Sequence, residues 1–220
     1  MMETTHYELP AEGISLLGYV VRRMHKTRWL MPVRTMAASG QSAEALAHVA
    51  VYAMLSSTSY GRAGYQPSFN RAGDVESEAD PATGASVTAR VVALRPRIAI
   101  DYDAVLTGGE TFSGSEEILG TTFGLRGLGM PAPSRFTFTA PGYSASLDGT
   151  ITSELTLAIF GGTRVRGYGS LAMSDSAGNR GEITIDRDQK IVLTVAGERY
   201  GVNLATWTVA RPAEPVPRGF

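Results

Sequence analysis

The sequence predicts a mainly β protein, an antiparallel up-and-down barrel of about eight to nine strands with one N-terminal helix. Three observations predict it. From about Ser86 to Ala210, apolar and polar residues alternate in one segment after another, which is the period of a half-buried strand. Short turns separate the segments, and short turns force antiparallel neighbours. A single open sheet of this size would expose two edges, which closure removes. A two-sheet β-sandwich is the alternative.

The chain divides into an N-terminal segment over 1–85, the barrel over 86–210 and a Pro-rich tail over 211–220. Residues 1–41 are irregular, and Pro32 limits any helix there. The spacing of Leu46, Val49, Ala50 and Ala53 predicts a helix over about 42–55. Ser42 is its expected N-cap, and Glu44 complements its dipole. His48, Val51 and Leu55 make the opposite face apolar as well, so the helix is expected to be buried and packed on the barrel. Residues 66–85 read as a loop whose acid-rich stretch, Asp74 to Asp80, is a solvated connection.

Strands are expected near 86–94, 97–106, 111–119, 134–140, 143–159, 163–173, 180–186, 189–196 and 199–209. The Gly-rich run from Gly120 to Pro133 reads as a loop crossing one end of the barrel. Asp148-Gly149 has the composition of a hairpin turn. A two-residue turn there would oppose Leu147 to Thr150 and mix the faces. A continuous strand keeps every apolar residue on one side. Gly149 is therefore expected to be a kink inside one long strand. The same parity test at Gly161-Gly162 calls for a three-residue loop aligning Ile159 with Val165.

Composition sets limits. The chain has 220 residues, 43% hydrophobic and 19% charged, the balance of a globular domain. Its net charge of −1 gives no general attraction to nucleic acid. One basic cluster runs from Arg22 to Arg34. It reads first as a solvated or barrel-packed segment, with peripheral membrane contact as the second reading. The absence of cysteine rules out disulfides and thiolate chemistry. No stretch has the length of a membrane helix, and the N-terminus lacks a signal-peptide pattern, so a cytoplasmic location is expected.

No motif specifies a chemistry. His6, His25 and His48 match no metal-site spacing, and no metal or cofactor is expected. Gly-Tyr-Gly-Ser at 167–170 is alternating strand rather than a nucleophile elbow. The Gly124–Gly129 run resembles a phosphate loop, but Pro131 and Pro133 prevent the helix such a loop requires. Glu154, Arg164, Arg166 and Tyr168 fall on polar strand faces, where a solvated face laced with ion pairs is expected. The apolar face carries the hydroxyls of Tyr102, Tyr143, Ser153, Tyr200 and Thr206. Asp101 and Asp103 flank Tyr102 and would join it only through a bulge.

These strands resemble, in architecture alone, the calycin-like shape of small barrels that bind apolar molecules. The lipocalin Gly-x-Trp signature is absent. The expected function is therefore binding of a small apolar or amphipathic molecule, lined by Phe138, Tyr143, Leu147, Ile151, Leu155, Val165 and Tyr200. A cofactor-free isomerase or cyclase is the alternative, with Tyr102, Asp101 and Asp103 as proton-transfer groups. A structural or assembly partner with a filled barrel is the third reading.

Overall fold

The strands expected from alternation are present, except that the one over 199–209 is two antiparallel strands, and all of them belong to one open sheet. The computed structural model describes residues 27–63, 72–80, 83–93, 98–118, 122–124, 127–158, 162–203, 206 and 208–211. A 3₁₀ turn at Thr27–Trp29 leads into α1 (Val33–Ala38) and α2 (Ser42–Ala63). Twelve strands follow: β1 (Val75–Ala79), β2 (Ser86–Ala93), β3 (Ile98–Val105), β4 (Thr111–Ile118), β5 (Thr122–Gly124) and β6 (Gly127–Ala140), then β7 (Tyr143–Ala158), β8 (Gly162–Asp175), β9 (Arg180–Ile185), β10 (Ile191–Val195), β11 (Glu198–Asn203) and β12 (Thr208–Ala210).

Eleven of them pair antiparallel in chain order from β1 to β12, and β5 pairs beside the path with β6. Among the described residues β1 and β12 do not pair with each other, so the expected barrel is not closed. The calycin-like likeness falls with it. Alternation specifies that one face of a sheet is buried, but not what covers it. Here α2 covers it, lying against β4, β6, β7, β8, β9, β10 and β12. At 22 residues the helix is about 33 Å long, close to the seven spacings of ~4.8 Å that separate β4 from β12. From Ala45 to Met54 nearly every side chain is sealed, because Trp29, Leu30 and Val33 are buried in the same core.

Several expectations change in detail. The Gln41 carbonyl accepts the first helical bond, from the Ala45 N–H, so Gln41 rather than Ser42 is the N-cap. The helix runs past 55 to Ala63. Within the acid-rich stretch Val75–Ala79 is an edge strand, not a loop. Charged residues on an edge strand discourage pairing with another chain. Most of the Gly120–Pro133 run is strand rather than a crossing loop: Thr122–Gly124 is β5, and β6 starts at Gly127 and passes through Pro131 and Pro133. β5 pairs with β6 up to Gly129 and β4 from Ser134 onward. Both prolines fall in the gap between these pairings, where a missing N–H costs little.

Gly149 lies inside β7, and that strand runs unbroken through it. Ala158 pairs with Gly162, which leaves three residues between β7 and β8. Leu155, not Ile159, faces Val165. Among the described residues no helix is long and apolar enough to cross a membrane.

Candidate functional site

Tyr102 is on the buried face of β3 and only 1% exposed. Its directly opposed residue on β4 is Gly114. A Cβ there would lie 2.5 Å from the Tyr102 ring and 2.8 Å from the Phe136 ring, so the phenol occupies the space glycine leaves. Tyr102, Phe112 and Phe136 form one aromatic cluster with centroids 5.7–6.4 Å apart. Tyr52 of α2 meets Phe112 edge-on at 4.7 Å.

Asp101 and Asp103 do not join this cluster. β3 pairs with β4 without interruption from Ile98 to Val105, so alternation sends both carboxylates to the solvent face, half-buried. Asp101 faces Arg90 across the strands. Partial burial raises its pKa, the Arg90 charge lowers it, and Asp103 raises it. The bulge that would have turned the two acids inward is absent from β3.

The acid beside Tyr102 is Glu116, which was not among the residues singled out from the sequence. It is 2% exposed, directly opposes Ser134 of β6, and has the hydroxyls of Ser57, Ser134 and Tyr102 nearby. Burial pushes its carboxyl up to about 7, against the lowering effect of those three hydroxyls. The signal was present in strand parity: with Phe112 and Ile118 facing inward, Glu116 must face inward too.

Five of the residues expected to line a cavity are core residues, Tyr143 and Tyr200 among them. Phe138, Leu147 and Ile151 are buried, and Leu155 and Val165 face each other across β7 and β8. With the sheet open and its apolar face covered by α2, no closed barrel cavity exists to house an apolar ligand or a cyclising substrate. The filled-barrel reading falls for the same reason. Tyr143 donates to Asp175 Oδ2 at 3.3 Å, and burial raises its pKa. Tyr200 accepts from Arg211 Nε at 3.2 Å, and burial raises its pKa as well. Ser153 is buried, whereas Thr206 is exposed.

His48 is buried with its ring 5.8 Å from that of Trp29. Burial lowers its pKa, and a hydrogen bond with the Trp29 backbone raises it. Among the described residues no group of three or more His, Asp or Glu is placed to hold a metal ion. Of the basic cluster, Arg28 is exposed and Arg34 reaches Glu110 at 3.5 Å; Arg22 and Arg23 lie outside the described residues.

The solvent face is the larger feature. One register row reads Ser77, Thr88, Asp103, Ser113, Thr137, Ser146, Ser174 and Arg180 across eight strands. The next row contains Thr111, Thr139 and Ser144. Ser77 and Thr88 hydroxyls are 2.8 Å apart, and those of Ser146 and Ser174 3.2 Å. A third row carries charges of both signs, Arg90, Asp101, Arg135, Asp148 and Glu182 among them. Glu154 and Tyr168 lie beyond these rows, where Arg187 stands over the Tyr168 ring and pairs with Glu154 at 3.9 Å. Arg166 donates to the Arg187 carbonyl at 3.4 Å, and the side chain of Arg164 lies outside the described residues.

Comparison with protein-family models matches none of them, and comparison with curated proteins gives no match either.

Proposed function

We propose that this chain is a non-catalytic recognition module whose working surface is the solvent face of the sheet, and that it takes a polyhydroxylated polymer. The observation that carries this reading is the pair of adjacent hydroxyl rows on β4, β6 and β7: Thr111 and Ser113, Thr137 and Thr139, Ser144 and Ser146. All six residues are exposed. Neighbouring hydroxyls are separated by ~4.8 Å between strands and roughly 6.8 Å along them. Each hydroxyl both donates and accepts, as do the hydroxyls of a sugar chain. Short side chains lose little rotamer freedom on binding.

The interior supports the same reading. Tyr102 and Glu116 are sealed from solvent, so a substrate has no path to the acid–phenol pair. The cytoplasmic address expected from the sequence belongs to this proposal and is checked by cell fractionation.

The test is affinity electrophoresis of the full chain through gels containing soluble neutral or anionic polysaccharides. The reading expects retardation by at least one polymer, lost in the Thr137→Arg/Ser146→Arg variant at unchanged melting temperature. No retardation across the panel, or retardation that the variant leaves intact, overturns it.

A further inference from the structure

A different observation carries a second role, independent of the solvent face. His48 lies where α2 meets the 3₁₀ turn, its ring centroid 5.8 Å from that of Trp29. It is 3% exposed, and its Nδ1 is buried with no hydrogen-bond partner. A neutral imidazole carries one N–H and one bare nitrogen, whereas an imidazolium carries two N–H groups and needs two acceptors. Protonation at this position would bury a charge together with an N–H that nothing accepts. The geometry favours the neutral ring, and burial lowers its pKa in the same sense.

The two sides of this contact are unequally held. α2 lies against seven strands. The turn and the chain just after it are held to the helix through Trp29, Leu30 and Val33, all buried in the shared core. A separate clasp anchors the start of the turn. Thr27 Oγ1 donates to Asp80 Oδ2, which also accepts from Thr83 Oγ1 at 2.9 Å. His48 takes no part in that clasp. Moving the turn disturbs a few side chains, whereas moving the helix disturbs most of the core.

We propose that His48 is an acid-operated release for the Trp29 turn. Protonation swings Trp29 and Leu30 off α2, with Thr27 as the pivot, and lets water reach the imidazolium. The charged and titratable groups around His48 come from each neighbouring element. On α2 they are Glu44, one turn earlier and paired with Arg211 at 3.0 Å, and Tyr52, one turn later. The turn supplies Arg28, which is exposed, and α1 supplies Arg34, drawn to Glu110 at 3.5 Å. The β1–β2 connection supplies Asp80, committed to Thr27 and Thr83. From the sheet come Tyr200, bonded to Arg211 at 3.2 Å, and Glu116, near Ser57 further along the helix. None of these charges shifts the His48 pKa, so none stands ready to pair with the imidazolium.

The test is amide hydrogen exchange of the full chain from pH 8 to pH 5, corrected for the intrinsic rate. It is read at Leu30 and Val33, whose N–H groups bond to the Thr27 and Leu30 carbonyls at 2.8 and 3.2 Å. Their protection should be level above about pH 6.5, the pKa of a freed imidazole, and fall by as much as about thirtyfold by pH 5. His48→Phe should keep both amides protected throughout. Adding about 1 M urea should leave exchange at Leu30 and Val33 unchanged, because releasing a turn exposes little surface, while speeding exchange across 45–54. Level protection in the parent, the same fall in His48→Phe, or equal acceleration of turn and helix by urea overturns the release. If His48→Phe fails to fold, His48→Gln, which gains no charge in acid, should show the same level profile. A fall in that variant overturns the proposal as well.

Discussion

The Tyr102 ring lies across Gly114, its directly opposed partner on β4, where a Cβ would approach the ring to 2.5 Å. The ring thus fills the space that glycine leaves between β3 and β6. Gly114→Ala should therefore destabilise by about 1–3 kcal/mol, the usual cost of overpacking a filled core. Urea unfolding measures it. A variant as stable as the parent would show that the ring does not occupy this space.

Gly149 makes a harder demand. A Cβ there would come within 2.1 Å of the Ser170 carbonyl oxygen, which is backbone and cannot rotate aside. Gly149→Ala is expected to cost more than Gly114→Ala, about 3 kcal/mol or above. The same denaturation experiment ranks the two. The reverse order would mean that β7 and β8 separate more readily than the aromatic cluster adjusts.

These two glycines mark how much was legible in the sequence. Alternation located most of the strands, and parity placed Gly149 inside one of them. The cover of the apolar face was not legible, because a helix that is apolar all round buries a sheet face as well as closure does. Val75–Ala79 was hidden by Glu76 and Glu78, since charges that protect an edge strand look like those of a loop. The prolines of β6 hid its first half in the same way, through a tolerance that depends on where β4 and β5 end. Glu116 was readable from the inward parity of Phe112 and Ile118, but the hydroxyls near it come from other elements.

The buried acid gives stability a pH dependence. The Glu116 carboxyl is held at about 7, against 4.5 for the free side chain. A raised folded pKa means that its contribution is fully present below about pH 4.5 and lost as pH rises to about 7, roughly 3 kcal/mol in all. Glu116→Gln should remove this loss from a set of urea titrations. A parent whose stability rises over the same window, with the variant unchanged, would contradict it.

His48 works in the opposite direction. Burial holds its pKa below the ordinary 6.5, so its contribution is present above about pH 6.5 and lost as pH falls. The two slopes oppose each other in weak acid. His48→Phe should therefore improve stability at pH 5 relative to pH 7.5, compared with the parent. An identical pH profile in the variant would show that His48 does not titrate on unfolding.

The most direct measurement of the central claim maps amide chemical shifts on titrating the labelled chain with a polymer that retards it in gels. The account expects shifts concentrated at Thr111, Ser113, Thr137, Thr139, Ser144 and Ser146, with Tyr102, Glu116 and α2 unmoved. Shifts centred on α2 and the buried face of the sheet would contradict it.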